Sequence, residues 1–194
     1  MKLSIDVKCA SPKDWIKAVL DDFPSFLQDH ADCERKASGM AMSLVAKYPN
    51  RSLIIPDLID TAIEELEHFN QVYLLMTNRG IPLPSNMEKD LYVQKLLKCM
   101  KSGIEERFLD RLLLGSVIEC RGAERFKIIA QNCKEIDLQL FYKKLWTSEA
   151  KHGHIFVKLA LHYFDKELVY ARLNELMDAE AEILTSLPIQ AKLH

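Results

Sequence analysis

Two short segments hold the residue types most suited to chemistry. Glu65-Leu66-Glu67-His68 and Glu149-Ala150-Lys151-His152 are both Glu-x-x-His, a spacing that turns both side chains to one face of a helix. Each follows a lone glutamate at nearly equal distance: Glu34 stands 31 residues before Glu65, and Glu119 stands 30 before Glu149. The chain therefore reads as two similar halves. Four carboxylates and two imidazoles are the donor set for two adjacent iron or manganese ions in a helix-bundle core. Two glutamates bridge, each ion takes one histidine, and positions remain for water or oxygen. Charge agrees, because four carboxylates offset two Fe(II) ions, whereas four buried carboxylates without metal would have to be largely protonated.

Chance placement of the glutamates and the 6 His supplies about half a Glu-x-x-His per chain, so one match would decide little. Two matches, both on helices and both with an upstream glutamate, decide much more. Glu64, Glu67 and Glu124 are nearby rivals, but the first two point off the Glu65/His68 stripe and the third breaks the spacing between halves. Neighbours on the stripes are apolar, as a dry metal cavity requires: Leu27, Ala37, Ala41 and Val45 beside Glu34, Leu58, Ala62, Val72 and Met76 beside Glu65, and Leu145, Phe156 and Leu159 beside Glu149. Gly115, Ser116, Gly122 and Ala123 bracket Glu119. Such small residues either open a substrate pocket beside the metals or let two helices pack closely. His30, one turn before Glu34, is placed to hydrogen-bond a ligand or a water. His154 points away from His152 and reads as surface, and Tyr142 reads as core.

These side chains need helices to aim them, and the chain reads as helix nearly throughout. A short helix runs from Ser11-Pro12 to about Leu20, with Ser11 as N-cap and Pro12 in the first helical position. Four longer ones span about 24–47, 57–79, 104–132 and 136–163, with Gly80 a natural left-handed C-cap for the second. Between the second and third lie Pro82, Pro84 and a further helix at 87–101, and a last helix spans about 165–186. No segment alternates with period two, so no strand is expected. Four long helices with short links inside each pair and one long crossover make the ferritin-like arrangement. A plain bundle is the alternative on periodicity alone. The expectation is an all-α, ferritin-like four-helix bundle with peripheral helices, a single domain over residues 1–194.

Composition narrows the class further. A hydrophobic content of 48% in 194 residues supports a sizeable core. With 26 Lys+Arg against 28 Asp+Glu the net charge is only −2, so a nucleic-acid partner would need a local basic patch. No run of 18 apolar residues occurs and the first residues form no signal-peptide core, so a cytoplasmic protein with no membrane partner is expected. Cys9, Cys33, Cys99, Cys120 and Cys133 show no Cys-x-x-Cys spacing, which argues against a disulfide framework or a built-in rubredoxin.

Longer stretches around the metal-type residues carry a family resemblance. Asp29-His30-Ala31-x-Cys33-Glu34-x-Lys36-Ala37, Glu64-Glu65-Leu66-x-His68-Phe69, Ile118-Glu119-Cys120-Arg121-x-x-Glu124-Arg125-Phe126 and Ser148-Glu149-Ala150-x-His152 together closely resemble the MiaE family. These are bacterial tRNA hydroxylases of the ferritin-like superfamily, and the resemblance spans about residues 11–186. It implies a non-haem diiron monooxygenase with Glu34, Glu65, His68, Glu119, Glu149 and His152 as ligands. The implied reaction hydroxylates the isopentenyl group of 2-methylthio-N6-isopentenyladenosine beside the anticodon of tRNA. One atom of O2 enters the product and the other leaves as water. Two electrons must come from a donor, and without a rubredoxin-type centre in the chain that donor is a separate electron-transfer protein.

For tRNA contact, basic residues gather around the link between the third and fourth long helices: Arg121, Arg125, Lys143 and Lys144, with Lys127, Lys134 and Lys151 nearby. Glu124, Glu135 and Asp137 oppose them, and the two arginines could instead form structural ion pairs. Two rivals to the hydroxylase stand beside it: a ferritin-like iron-storage or peroxide-scavenging protein, and a metal-free helical interaction module. Iron content separates the second, and a substrate test separates the first.

Overall fold

The computed structural model describes residues 3–86 and 89–194. Among them it forms seven helices and no strand: α1 (Lys13–Asp21), α2 (Phe23–Lys47), α3 (Ile55–Asn78), α4 (Leu91–Leu97), α5 (Ile104–Asn132), α6 (Ile136–Leu161) and α7 (Lys166–Ser186). The four long helices, with one long crossover between α3 and α5, follow the ferritin-like order expected from periodicity. Contacts divide the described residues into two compact units. One draws on residues 3–16, Lys89–Ile189 and His194, the other on residues 17–86 and Gln190–Leu193.

The second unit is the α2–α3 hairpin. Asp22 caps α2 by accepting from the Ser25 amide at 3.3 Å. Ser38 Oγ donates to the Ala62 carbonyl at 2.8 Å, while Glu34 lies opposite His68; residue numbers fall along one helix as they rise along the other, so the pair is antiparallel. Phe26, Leu27, Ala31, Ala41 and Leu44 of α2 are buried, as are Leu58, Ala62, Val72 and Met76 of α3. Each fully buried large side chain contributes about 1.5–3 kcal/mol. At the end of α3, Gly80 adopts φ +68°. Its amide donates to Thr77 at 3.1 Å and that of Ile81 to Met76 at 2.9 Å, the Schellman arrangement that a left-handed glycine permits.

The first unit is the α5–α6 hairpin with α7 and the short α4 packed on it. Small residues let α5 and α6 approach: Ser116 Oγ donates to the Gly153 carbonyl at 2.8 Å, and a Cβ on Gly115 would lie 2.9 Å from the Phe156 ring. Further along, Phe126 and Tyr142 meet with ring centroids 5.6 Å apart, so Tyr142 is a core residue as expected.

Two elements differ from the sequence reading. The helix expected at 87–101 spans only Leu91–Leu97. Asp90 caps its start by accepting from the Val93 amide at 3.1 Å, and tighter bonds from Lys98 to Lys95 and Cys99 to Leu96 close its end. Residues 87 and 88 of that expectation lie outside the described residues. Ser11 does not act as the N-cap of α1, because its amide and hydroxyl both donate to the Glu124 carboxylate, at 2.8 and 2.7 Å.

Candidate metal centre

On the α2–α3 hairpin, Glu34 sits at mid-helix on α2 and Glu65 and His68 share one face of α3. All three are buried, and each offers a ligand atom within 4.8 Å of the other two. His68 Nδ1 lies 3.6 Å from Glu34 Oε2 and 3.4 Å from Glu65 Oε2. Two donors each about 2.1 Å from one ion stand roughly 3–3.5 Å apart, so this trio has the spacing of ligands around a single cation. His30, fully buried one turn before Glu34, places Nε2 2.7 Å from Glu34 Oε1. That bond fixes one carboxylate oxygen and leaves Oε2 beside His68.

The α5–α6 hairpin repeats the pattern. Glu119 of α5 and Glu149 and His152 of α6 are buried, again with ligand atoms within 4.8 Å of one another, and His152 Nδ1 lies 3.4 Å from Glu149 Oε2. Each hairpin thus buries two carboxylates and one imidazole. The donor set suits a divalent first-row metal, since oxygen and imidazole ligands with no thiolate favour iron or manganese over a zinc–sulfur site. The rivals stand in other surroundings: Glu64 is half-buried and Glu67 exposed, and Glu124 is bonded to Ser11 and Arg121.

Of the four basic residues assigned to tRNA, two are corrected. Arg121 is 0% exposed, with Nε on Glu180 Oε1 at 2.8 Å, Nη2 on Glu180 Oε2 at 3.0 Å, and Nη1 on Glu124 Oε2 at 3.0 Å. Burial works against its charge, but the hydrogen bonds and charge of Glu180 prevail and hold its pKa above the ordinary arginine value. Arg125 is also buried, over the Trp15 ring at 4.6 Å, with Nε donating to Ser11 Oγ at 3.2 Å. Its burial, and then the neighbouring charge of Arg121, lower its pKa to about 10. A guanidinium sealed in the protein cannot reach a phosphate, so both arginines belong to the interior. Lys143 and Lys144 are exposed on α6.

The four small residues also divide. Gly115 and Ser116 serve the close α5–α6 contact through Phe156 and Gly153. Beside Gly122 there is room, because a Cβ there would meet Glu149 Cγ only at 3.9 Å. Ala123 is buried next to it.

Sequence reasoning missed the polar interior of the first unit. Glu180 is fully buried and accepts from Tyr92 Oη at 3.0 Å as well as from Arg121. Burial, and then the Glu180 charge, keep the Tyr92 hydroxyl protonated well above its usual range. Asp110 accepts from Arg172 Nε at 2.7 Å and Nη2 at 2.9 Å. A signal for Glu180 was present: Leu176, Met177 and Leu184 place it on an apolar stripe of α7. His154, read as surface, accepts from the Leu3 and Ser4 amides at 3.1 and 3.0 Å and so anchors the segment before α1.

The chain as a whole is similar to known proteins. A family model described as tRNA-(MS[2]IO[6]A)-hydroxylase (MiaE) matches residues 3–194. A tRNA 2-(methylsulfanyl)-N(6)-isopentenyladenosine(37) hydroxylase from Pseudomonas putida is 37% identical over 187 residues, covering 96% of this chain and 90% of that one. The Salmonella typhimurium protein of the same name is 29% identical over 235 residues, covering 96% and 86%. Among solved structures, a protein with aldehyde deformylating oxygenase activity from Synechococcus aligns with a TM-score of 0.91 at 30% identity, covering 97% of this chain and 94% of that one.

Proposed function

Because the chain belongs to the MiaE family of tRNA hydroxylases, we propose that it hydroxylates the isopentenyl group of 2-methylthio-N6-isopentenyladenosine next to the anticodon of tRNA. The observation that carries the chemistry is the repeated trio, two buried glutamates and a histidine on each of two helix hairpins. Glu34, Glu65 and His68 with Glu119, Glu149 and His152 are the proposed ligands of a diiron centre. The single domain over 1–194 belongs to the same proposal, supported by the family match over residues 3–194.

An isopentenyl C–H has no acidic proton, so side-chain acid–base chemistry cannot open it. Iron bound by these residues supplies the activation of O2 that the reaction demands. The chain's own groups do the rest. His30 holds Glu34 in one orientation through the 2.7 Å bond, which keeps Oε2 turned towards His68. Phe156 and Leu145, buried on the Glu149 face of α6, exclude water. The isopentenyl tail is assigned to the side of Gly122, where a Cβ would meet no atom closer than Glu149 Cγ at 3.9 Å, and Lys143 and Lys144 offer exposed charge to the anticodon arm. One atom of O2 enters the product and the other leaves as water, with two electrons from a separate electron-transfer protein. A tRNA substrate puts the enzyme in the cytoplasm, and among the described residues no helix is long and apolar enough to cross a membrane.

Nucleoside analysis of tRNA from a strain lacking this protein tests the reading. The hydroxylated nucleoside should vanish and its unhydroxylated precursor accumulate. An unchanged nucleoside profile would reject the substrate.

A further inference from the structure

Arg121 and Arg125 are withdrawn from the surface, which leaves open how a near-neutral protein holds an anticodon loop. On the outer seam of α5 and α6, Lys127 Nζ lies over the Trp146 ring, 5.1 Å from its centroid. Lys127 is exposed and Trp146 half-buried. Lys143, also exposed, precedes Trp146 by three residues and so lies on the same side of α6. Trp146 itself precedes Glu149 by three, and Lys127 follows Ala123 by four. The aromatic–cation pair therefore stands one helical turn from the place where Gly122 leaves room against Glu149.

We infer that Lys127, Lys143 and Trp146 form a platform for a single-stranded nucleotide adjoining the one whose modified base enters beside Gly122. This inference rests on the tRNA reading above and adds a base-stacking surface to the charge of Lys143. The chemistry matches a splayed loop: an aromatic face stacks on a base, and ammonium groups meet phosphates. An incoming nucleotide takes both parts of the pair at once. Its phosphate draws the Lys127 ammonium off the ring, and its base occupies the face thereby released. Of the acidic residues of this region, Glu135 and Asp137 lie at the α5–α6 link, two turns or more before Trp146, and Glu124, one turn before Lys127, is bonded to Ser11 and Arg121. A duplex would not suffice, because stacked and paired bases offer no face to Trp146.

The chain has 2 Trp, and Trp15 is 2% exposed beneath Arg125, so a fluorescence change on RNA binding reports on Trp146. The metal-loaded full chain is titrated with an anticodon stem-loop RNA carrying the isopentenylated base, and turnover is measured on that RNA and on the free modified nucleoside. Wild-type fluorescence should be quenched. Trp146→Ala should weaken stem-loop binding about tenfold, while Trp146→Phe abolishes the quench and retains most of the affinity. Lys127→Glu and Lys143→Glu should weaken binding and flatten its dependence on log salt, by about 0.7 per lost phosphate contact. Free-nucleoside turnover should stay as in wild type for all four. Unchanged stem-loop affinity in Trp146→Ala and Lys127→Glu, with RNA turnover intact, would overturn the platform and leave the tRNA function standing. Equal loss on RNA and free nucleoside would also overturn it, by showing that the seam only supports the fold. A wild-type enzyme inactive on both substrates would instead remove the reading beneath it.

Discussion

The guanidinium of Arg121 and the carboxylate of Glu180 form a two-pronged pair, at 2.8 and 3.0 Å, with both side chains wholly out of water. The pair ties α5 to α7, and the remaining Arg121 nitrogen bonds to Glu124, while Nη2 also reaches the Cys9 carbonyl at 2.7 Å. A buried pair is costly to assemble and far costlier to break, because removal of one partner strands the other charge. Arg121→Met should therefore cost about 3–5 kcal/mol of stability, read from urea unfolding. Stem-loop RNA affinity per folded molecule should not change. A stable variant with weakened RNA binding would return Arg121 to the surface role that its sequence neighbourhood suggested.

Arg125 gives the contrasting case four residues on. Its folded pKa of about 10 lies below the ordinary arginine value, so folding disfavours its charge at every pH below about 10. Stability conferred by the rest of the fold is opposed there, and the opposition fades only as pH rises from about 10 towards the unfolded value. Arg125→Met removes that opposition but also the stacking on Trp15 and the bond to Ser11. The two changes offset, and the net cost at neutral pH should be under about 1 kcal/mol. A loss as large as that of Arg121→Met would reject this balance.

The proposed centre predicts its own thermal signature. On each hairpin two buried carboxylates crowd one another without a cation, so iron should bind the folded chain and not the unfolded one. At a hundredfold excess over its dissociation constant a ligand adds about 2.7 kcal/mol, which for a chain of this size raises Tm by roughly 5–10 °C. A chelator should remove that increment and Fe(II) restore it. In Glu119→Ala and His152→Ala, iron content should fall below two per chain, hydroxylation should be lost, and chelator should move Tm little. Wild-type iron and turnover in both variants would reject the ligand set.

Much of this was legible before any coordinates. The long helices lie close to where periodicity and the caps put them, because a residue such as Gly80 acts through a local backbone constraint that sequence carries directly. The Glu/Glu-x-x-His trios were legible for the same reason, as a three-residue spacing on a helix fixes a shared face. What sequence could not carry was the destination of long polar side chains. Arg121 and Lys127 are six apart on one helix, yet one ends on Glu180, 59 residues away, and the other over Trp146 at the surface. Both are basic residues on the second half of α5, and only tertiary contact tells them apart. The fate of Ser11 is similar: a carboxylate 113 residues away outcompeted the local N-cap.

The glycines of α5 provide the last and sharpest test, since one sequence pattern of small residues covers two physical situations. A Cβ at Gly115 would lie 2.9 Å from the Phe156 ring, which is itself fully buried. Gly115→Ala should therefore cost about 1–3 kcal/mol through overpacking, despite the better helix propensity of alanine. At Gly122 the same methyl meets only Glu149 Cγ at 3.9 Å, so Gly122→Ala should be neutral or stabilising by up to about 1 kcal/mol. Leucine at that position fills the space proposed for the isopentenyl tail. Gly122→Leu should then retain two iron atoms per chain and a Tm near wild type, while turnover falls on stem-loop RNA and free nucleoside alike. That combination separates an occupied substrate slot from a damaged metal site, which would lose iron as well, and from the Trp146 platform, whose variants spare the free nucleoside. Full turnover by Gly122→Leu would place the substrate channel on another face of α5.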